Sequence, residues 1–403
     1  MTQNSRAGST SDFVDLPSDG RFSRHEAIQG WSQKRLSEAR VLVVGCGALG
    51  NEALKNLALL GVGEIGVIDF DVIELSNLAR CVFFREEDLG ELKAVVAAKR
   101  IRELNPSVTA RSLVADIITE VGAGFLEEFD LVLGCLDNIA ARYKLNRLCR
   151  MANVPWLNAG IDAFCGQVSL FHPDENACYE CSMTASMWQR MYERNSCLLP
   201  GALKPKLPVA TTTILASLTA ALQVQEAIAL LKESTQSQPW PRLRAGEQLS
   251  IRVSPYEMAV LRLKRNAECM AHWETAPAMR LSAVPAETIA ADLLAQSGME
   301  SFEVDWDIAQ SLECPKCGTV ETSLPAWTVK DSDLICPQCR QQRRPHWTNR
   351  IERNSILSES TLAQLGVPEW AHFRMTSRAG IVHHAKLISE KSDVKTSYRS
   401  SST

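Results

Sequence analysis

The chain of 403 residues is poor in the features that mark several large classes of protein. Aromatic residues make up only 6% and the formal net charge is −4, so nothing predicts nucleic-acid binding. Residues 1–20 are polar and lack the apolar core of a signal peptide. The most apolar long stretch, Thr211 to Leu231, is interrupted by Gln223, Gln225 and Glu226, which predicts a buried helix and no membrane span. We therefore expect a cytoplasmic protein that has neither nucleic acid nor membrane as a partner.

Cysteine, in contrast, is abundant, with 13 residues. Disulfides are rare in the cytoplasm, so the spacing of these residues has to provide another explanation. Seven form CxxC pairs or, with a histidine, a CxxH pair: Cys178/Cys181, Cys314/Cys317, Cys336/Cys339 and Cys269/His272. Five lie in apolar patterns and are predicted to be small core residues: Cys46, Cys81, Cys135, Cys149 and Cys165. Cys197 alone lies in a polar segment that contains prolines.

From residue 40 onward, short apolar segments alternate with helical patterns. The sequence predicts strands at 40–44, 64–69 and 131–135, a helix ending near Leu60 and another at 93–104. Strands that are nearly all apolar and alternate with helices indicate a parallel sheet covered on both faces. We predict an α/β fold: a Rossmann-like, mainly parallel sheet with flanking helices, plus a small C-terminal zinc-binding domain.

Composition also predicts the limits of the domains. Both ends are rich in small polar residues and are expected to be disordered. The predicted segments are a tail at 1–20, a first domain at 21–275 with a crossing loop at 182–210, a linker at 276–299, a zinc-ribbon-like domain at 300–388 and a tail at 389–403.

A glycine-rich turn separates the first predicted strand from the first long helix. Gly45, Gly47 and Gly50 have the G-x-G-x-x-G spacing that lets a backbone approach a phosphate at a helix N-terminus. Asp69 ends the next strand, 19 residues past Gly50, where a carboxylate suits a ribose hydroxyl. Taken alone, this pattern predicts a bound nucleotide, with NAD as the default.

Charged and amide residues beyond the turn change that prediction. Asp71, Asn77, Arg80, Lys93 and Asp137 have no role in hydride transfer. An enzyme that cleaves ATP between the α and β phosphates needs such groups, because Arg80 and Lys93 neutralise developing charge and Asp137 can hold Mg²⁺. Each residue alone could be ordinary surface charge, but the set at these spacings favours a site.

These segments resemble the ThiF/MoeB/ubiquitin-E1 superfamily of E1-like activating enzymes from Arg21 to Glu274. The motifs that carry the resemblance are Arg21-Phe-Ser-Arg24-His25, Gly45-Cys-Gly-Ala48-Leu-Gly50, Asp69-Phe-Asp71, Ser76-Asn77-Leu-Ala-Arg80, Gly90-Glu-Leu-Lys93 and Asp137-Asn138. Two residues depart from the usual family pattern, Ala48 for a glycine and His25 for a glutamine. Neither departure removes a group that takes part in the chemistry.

The resemblance implies a role for each matching residue. Asp69 would contact the ribose, and Asp71 would belong to the same nucleotide site. Three side chains would contact the phosphates: Asn77, Arg80 and Lys93. Asp137 would bind Mg²⁺. Arg24 would reach across a homodimer interface to the ATP of the partner.

Two cysteine-rich sets predict zinc sites. Cys178, Cys181, Cys269 and His272 form two pairs separated by 87 residues and suit a closed tetrahedral site with a structural role. Pairing Cys178/Cys181 with a later CxxC pair would leave one pair unmatched. The second set has 18 residues between its pairs, as zinc ribbons do: Cys314, Cys317, Cys336 and Cys339. This module either only stabilises a small domain or also recruits a partner through Arg340, Arg343, Arg344 and Trp347.

Cys197 lies 16 residues after Cys181 in the predicted crossing loop. In the superfamily a cysteine in this loop attacks the adenylate, and Arg194, Lys204 and Lys206 would favour its thiolate. The alternative is a surface cysteine without function, because some members of the superfamily catalyse adenylation alone.

The resemblance predicts ATP-dependent adenylation of the C-terminal glycine of a ubiquitin-like protein, followed by thioester formation on Cys197 and transfer to an E2-like conjugating enzyme. The alternative is a sulfur-carrier protein adenylyltransferase of thiamin- or molybdopterin-type sulfur transfer. A remote alternative, an NAD-dependent oxidoreductase with zinc, leaves Arg24, Asn77 and Asp137 unexplained. The expected cofactors are ATP, Mg²⁺ and Zn²⁺ at two sites, and the expected partner is a carrier that ends in Gly-Gly.

Overall fold

The computed structural model of the chain contains two β-sheets. The residues that the structure describes are 20–173, 176–189, 211–231, 242–272, 278–282, 284–325, 329, 332–368 and 370–388.

The first sheet has eight strands in the order β3-β2-β1-β4-β5-β6-β7-β8. The strands are β1 Arg40–Val44, β2 Glu64–Ile68, β3 Thr109–Leu113, β4 Leu131–Gly134, β5 Trp156–Ile161, β6 Cys165–Phe171, β7 Glu247–Val253 and β8 Tyr256–Arg262. Neighbours from β3 to β5 pair in parallel, and β6, β7 and β8 continue the sheet antiparallel. The predicted fold class, a mainly parallel Rossmann-like sheet, is confirmed.

Helices cover both faces of this sheet. They are α1 Ser23–Glu26, α2 Gln33–Glu38, α3 Ala48–Leu60, α4 Lys93–Leu104, α5 Ala123–Leu126, α6 Ile139–Ala152 and α7 Thr213–Leu231. Because side chains alternate along a strand, Val41 and Val43 of β1 enter the core under α3, α4 and α7, whereas Leu42 and Val44 enter the core under α5 and α6. The central strand is therefore buried on both faces, as its unbroken apolar sequence requires.

Helix α7 packs directly on the antiparallel half of the sheet. Thr219 lies so close that a Cβ atom at Gly166 of β6 would be 2.2 Å from its hydroxyl oxygen. By length and composition α7 is the one described helix that could cross a membrane, which is weak evidence, since core helices pass the same test. Ala220, Val224 and Ile228 are buried in the same core as the side chains of β1 and β5, so the packing of α7 explains its composition.

The second sheet is built from the C-terminal part of the chain. Its strands are β9 Ala278–Ser282, β10 Met299–Glu313, β11 Val320–Pro325, β12 Arg344–Glu352, β13 His372–Ser377 and β14 Val382–Ile388. Five of them follow the order β11-β10-β13-β14-β9, and β12 also pairs with β10. Helix α8, Ala290–Ser297, buries its apolar face against this sheet.

The structure differs here from the linker predicted at 276–299. Strand β9 pairs in parallel with β14, more than one hundred residues later in the chain, and α8 contributes Ala290, Leu293 and Leu294 to the core. The positions of these three residues, i, i+3 and i+4, are those of one helix face. The segment is part of the C-terminal unit because it supplies an edge strand and a helix to its sheet.

Candidate functional site

The glycine turn lies between β1 and α3 at the carboxyl edge of the first sheet. Gly45 has a φ of +95°, and a Cβ there would lie 2.5 Å from the carbonyl oxygen of Cys135. A Cβ at Gly50 would lie 2.0 Å from the carbonyl oxygen of Gly45. At Gly47, by contrast, a Cβ would meet no described protein atom within 4 Å. Two glycines therefore permit the packing of the turn, and the third leaves space in front of the N-terminus of α3, a position that suits a phosphate.

Asn51 secures this turn and is a residue that the sequence did not reveal. It is fully buried, and its Nδ2 donates to the carbonyl oxygens of Cys46 at 2.8 Å and Gly47 at 3.1 Å. Its Oδ1 accepts a hydrogen bond from Phe83 N at 3.1 Å. The amide thus joins the turn to the segment that carries Asn77 and Arg80. The signal in the sequence is a lone amide one residue after the last glycine.

Asp69 directly follows β2 beside the turn, where the sequence predicted a ribose-binding carboxylate. Its Oδ2 accepts from Cys46 N at 2.6 Å and its Oδ1 accepts from Asp71 N at 2.8 Å. Burial raises the pKa of Asp69, although these hydrogen bonds and Lys93 act in the opposite direction. The carboxylate is therefore fixed in position.

Lys93 and Asp71 form an ion pair in front of the same edge. Lys93 begins α4, and its Nζ lies 2.9 Å from Asp71 Oδ2. The Lys93 side chain is 10% exposed and that of Asp71 is 51% exposed. The ammonium group is therefore largely buried, and its partner carboxylate lies between it and solvent. Burial lowers the pKa of Lys93, but the hydrogen bond to Asp71 and the charge of Asp69 outweigh it, and the pKa is raised. Lys93 is a stable cation, and the carboxylate of Asp71 contacts it directly.

Asn77 and Arg80 lie on the segment between β2 and α4. Asn77 is buried, and its Oδ1 accepts from Glu74 N at 3.0 Å, which caps a short 3-10 turn. Arg80 is half-buried, and its Nη1 donates to Ser76 O at 2.8 Å. Both side chains have defined positions next to the turn that Asn51 secures.

Asp137 follows β4, the neighbour of β1, so it lies at the same edge of the sheet as Asp69. It is exposed and accepts a hydrogen bond from Asn138 Nδ2 at 3.2 Å. An exposed carboxylate in this place fits Mg²⁺, which prefers oxygen ligands and retains several waters. Asp137 therefore has the chemistry and exposure of a single Mg²⁺ ligand, and the Mg²⁺ site stays a prediction.

Arg24 lies elsewhere in the protomer. The ring of Phe22 contacts Gly61, which ends α3, and α3 extends about 20 Å from the glycine turn to that end. Arg24 is exposed on α1, two residues beyond Phe22, so the fold does not bring it to the nucleotide site of its own chain. The predicted contact of Arg24 with ATP is therefore not made within one chain, and its role across a dimer interface stays a prediction.

Cys197, the predicted nucleophile, lies outside the described residues. Among those described, four other cysteines outside the metal clusters are buried, and burial raises the pKa of each thiol: Cys46, Cys81, Cys135 and Cys149. The pKa reaches about 11 for Cys81 and about 12 for Cys135. These thiols have the environment of inert core residues, as predicted. Cys165 differs from its prediction, because it is only half-buried at the start of β6.

The first predicted zinc set comes together. The Sγ atom of Cys178 lies 3.8 Å from those of Cys181 and Cys269, and Cys181 Sγ lies 3.2 Å from His272 Nε2. Tetrahedral coordination with Zn–S bonds of about 2.3 Å places sulfur atoms about 3.8 Å apart, whereas a disulfide needs about 2.05 Å. The four donors therefore fit zinc, and they leave no ligand position open for catalysis.

Helix α6 supports this cluster. Asn146 Oδ1 accepts from Tyr179 N at 3.1 Å, and Arg147 Nε lies 3.1 Å from Glu180 Oε1. Arg150 Nε donates to Ala271 O at 2.6 Å. The two halves of the zinc set, separated by 87 residues in the sequence, are thus held by one helix face.

The second set lies at the end of β10 and before β12. Cys314 Sγ is 3.4 Å from Cys339 Sγ, and Cys317 Sγ is 3.5 Å from Cys336 Sγ. Four thiolates around Zn²⁺ carry a net negative charge. Arg343 is 4% exposed, pairs with Glu321, and its pKa is raised by Glu321 and by Cys336. The guanidinium of Arg343 thus lies beside both Glu321 and Cys336.

Comparison with known proteins identifies the family of the first sheet. The profile described as the ThiF family matches residues 22–271, more than half of the chain. SUMO-activating enzyme subunit 2 of Dictyostelium discoideum is 39% identical over 152 residues, 38% of this chain and 23% of that protein. Adenylyltransferase and sulfurtransferase MOCS3 of Mus musculus is 40% identical over 149 residues, 37% of this chain and 32% of that protein.

A further relative and a solved structure are also similar to this chain. The sulfur carrier protein adenylyltransferase of Thermus thermophilus is 35% identical over 154 residues, 37% of this chain and 57% of that protein. The chain thus spans less than two thirds of each of these relatives. The crystal structure of E. coli MccB with ATP has a TM-score of 0.52 at 24% identity, covering 64% of this chain and 75% of that one. At this identity the likeness shows the fold alone.

Proposed function

Because the chain belongs to the ThiF family, we propose that it is an E1-like enzyme that uses ATP to adenylate the C-terminal carboxylate of a small carrier protein. The observation that carries the proposal is the arrangement at one sheet edge of an open glycine turn, a fixed Asp69 and a cationic Lys93. The relatives named as activating enzymes and adenylyltransferases support it.

In this proposal the chain's own residues bind and orient the nucleotide. Asp69 binds the ribose, and the N-terminus of α3 receives a phosphate in the space at Gly47. Lys93 and Arg80 contact phosphate oxygens, so Lys93 exchanges part of its pairing with Asp71 for the nucleotide. Mg²⁺, when bound at Asp137, would neutralise part of the negative charge that develops on the leaving pyrophosphate. Arg24 of a second copy completes the site, so the active form is a homodimer.

The reaction is a displacement at the α-phosphorus. A carboxylate oxygen of the carrier forms a bond to that phosphorus, and the bond between phosphorus and the α–β bridging oxygen breaks. The electron pair leaves with pyrophosphate, whose charge Lys93 and Arg80 stabilise. Lys93 suits this role because its hydrogen bond to Asp71 and the charge of Asp69 raise its pKa and so favour the cation.

We further propose that the carrier is a ubiquitin-like protein and that Cys197 then takes over its acyl group. The thiolate attacks the acyl carbon, AMP leaves, and the thioester passes to a conjugating enzyme. The raised thiol pKa of Cys46, Cys81, Cys135 and Cys149 supports Cys197, because it removes these four as competing nucleophiles. The alternative, a sulfur carrier, is supported by the relatives named for sulfur transfer.

The carrier has an apolar surface available on the first sheet. Strand β8 is exposed along its whole length, and Tyr256, Met258 and Val260 are 89, 61 and 57% exposed. They pair with Val253, Ile251 and Leu249 of β7, so this exposed stripe continues the face on which α7 packs. Apolar patches of this kind are typical of protein-binding surfaces. We propose that the globular part of the carrier binds to this stripe. We also propose that the enzyme is located in the cytoplasm.

A non-reducing gel tests the proposal and separates its two branches. The enzyme is incubated with ATP, Mg²⁺ and a small protein that ends in Gly-Gly, and wild type is compared with Cys197→Ala and with Cys165→Ala as the control. We expect a reductant-sensitive adduct in wild type and the control and its loss in Cys197→Ala. Carrier-dependent pyrophosphate exchange without an adduct would indicate the sulfur-carrier branch. Neither adduct nor exchange would contradict the proposal.

A further inference from the structure

The C-terminal unit packs closely on helix α5 of the first unit. Gly124 N donates to Trp370 O at 3.0 Å, and the rings of Phe125 and Trp370 lie 5.8 Å apart between centroids. A Cβ at Gly124 would lie 2.9 Å from Trp370 Cβ, so only glycine allows this approach. The contact thus depends on a glycine at position 124 and on the aromatic pair of Phe125 and Trp370.

Charged side chains continue the contact. Glu127, directly after α5, accepts a hydrogen bond from Lys386, and its other oxygen lies 3.4 Å from His372 Nε2. His372 and Lys386 are directly opposed in the pairing of β13 with β14. Two strands of the second sheet therefore reach α5 together.

A second contact joins the C-terminal unit to α6. Lys144 is 8% exposed, and its Nζ lies 5.4 Å from the ring centroid of Trp306 in β10. Trp306 Nε1 donates to Leu365 O at 3.0 Å, which fixes the ring within the C-terminal core. A largely buried ammonium thus faces an aromatic ring of the other unit, an arrangement that gains strength from desolvation.

Helix α6 also begins at the proposed Mg²⁺ ligand. Asn138 caps the helix by accepting from Ala141 N at 2.8 Å, and Asp137 directly precedes it. Arg142 Nη2 donates to Leu136 O at 2.6 Å, which ties the first turn of the helix to the loop that carries Asp137. A shift of α6 therefore moves Asp137.

We propose that the C-terminal unit positions the nucleotide site: docked on α5 and α6, it fixes the helix start that presents Asp137. This proposal rests on the proposed function, which assigns Asp137 to Mg²⁺ and ATP. Lys144, Gly124 and Trp370 are positioning residues in it and contact no substrate. The C-terminal unit is thus a working part of the adenylation site, in addition to any partner that it recruits.

The test uses the full chain and two readouts. Gly124→Val and Trp370→Ala disrupt the contact at α5, and Lys144→Met removes the charge facing Trp306 while keeping an unbranched side chain. Trp347→Ala is the matched control, because Trp347 packs within the zinc ribbon against Leu312 and Leu334. Hydrogen exchange of residues 137–152 and the Kd of Mg-ATP without carrier are measured for each.

We expect faster exchange at 137–152 and a Kd for Mg-ATP raised about fivefold or more in the interface variants, and neither change in Trp347→Ala. The KM for Mg-ATP should rise while the KM for the carrier stays the same. Faster hydrogen exchange in the interface variants together with a wild-type Kd for Mg-ATP would overturn the positioning role. It would leave the proposed function intact. Wild-type protein that binds no Mg-ATP would overturn the proposed function as well. If Gly124→Val fails to fold, Lys144→Met still decides the question.

Discussion

Gly47 and Gly50 belong to the same turn but are glycines for different reasons. A Cβ at Gly50 would collide with a backbone oxygen, whereas at Gly47 it would occupy the open space in front of α3. We predict that Gly50→Ala lowers the free energy of unfolding by about 1–3 kcal/mol, the usual cost of overpacking. Gly47→Ala should leave unfolding nearly unchanged and weaken Mg-ATP binding. Thermal unfolding and calorimetric titration with Mg-ATP measure the two effects. Equal loss of stability in both variants would contradict this distinction.

The sequence predicted where several motif residues lie, because these residues sit next to the ends of elements whose positions follow from the pattern. Asp69, Lys93 and Asp137 are placed by the strand or helix that each one ends, begins or follows. Asn51 was missed because its partners, Cys46, Gly47 and Phe83, meet only in the folded turn. The roles predicted for all the nucleotide-site residues, for Arg24 and for Cys197 stay predictions.

Helix α7 contains a partly buried carboxylate, Glu226, whose charged form is disfavoured by loss of solvent. Glu226 accepts from Leu243 N at 2.6 Å, and burial raises its pKa despite this bond and the charge of Arg242. Its contribution to stability is therefore greatest below the ordinary value of 4.5 and is lost as the pH rises through the folded-state pKa.

Glu226→Gln retains the acceptor for Leu243 N and removes the charge. We predict a small gain in stability at pH 7 and a flatter dependence of stability on pH between the folded-state pKa and 4.5. Denaturant unfolding over pH 4 to 8 measures both, with Gln225→Glu as an exposed control on the same helix. A loss of stability at pH 7 would show that the charge, and not only the acceptor, is needed.

At the scale of elements, strands and helices with clear periodicity were predicted with accurate ends. Strand β1 and helix α4 have the bounds that the sequence indicates. Strand β8 was missed because none of its residues is buried. Helix α6 was missed because its apolar face is interrupted by polar residues that hydrogen-bond to the segments carrying the first cysteine cluster. The second sheet was not predicted because its core joins β9 to β14 across the length of the C-terminal unit.

At the scale of the whole molecule, the two clusters that could hold a metal ion lie in different units. We predict two zinc ions per chain by elemental analysis, and one in either Cys317→Ser or Cys181→Ser. Cys181→Ser should destabilise the first sheet more, because its cluster joins α6 to residues 269–272. Unfolding followed by hydrogen exchange distinguishes the two units. A zinc content that stays at two in Cys317→Ser would contradict the assignment of the second cluster.

The central claim, ATP-dependent adenylation at the edge formed by β1, β2 and β4, is tested most directly by exchange of labelled pyrophosphate into ATP. The assay contains Mg²⁺ and a carrier ending in Gly-Gly, and it compares wild type, Lys93→Ala and Lys99→Ala. Lys99 is the matched control, because it lies on the same helix and its side chain is 63% exposed. We predict carrier-dependent exchange in wild type and Lys99→Ala and at least about a hundredfold loss in Lys93→Ala. Exchange that is absent from wild type, or unaffected in Lys93→Ala, would contradict the account.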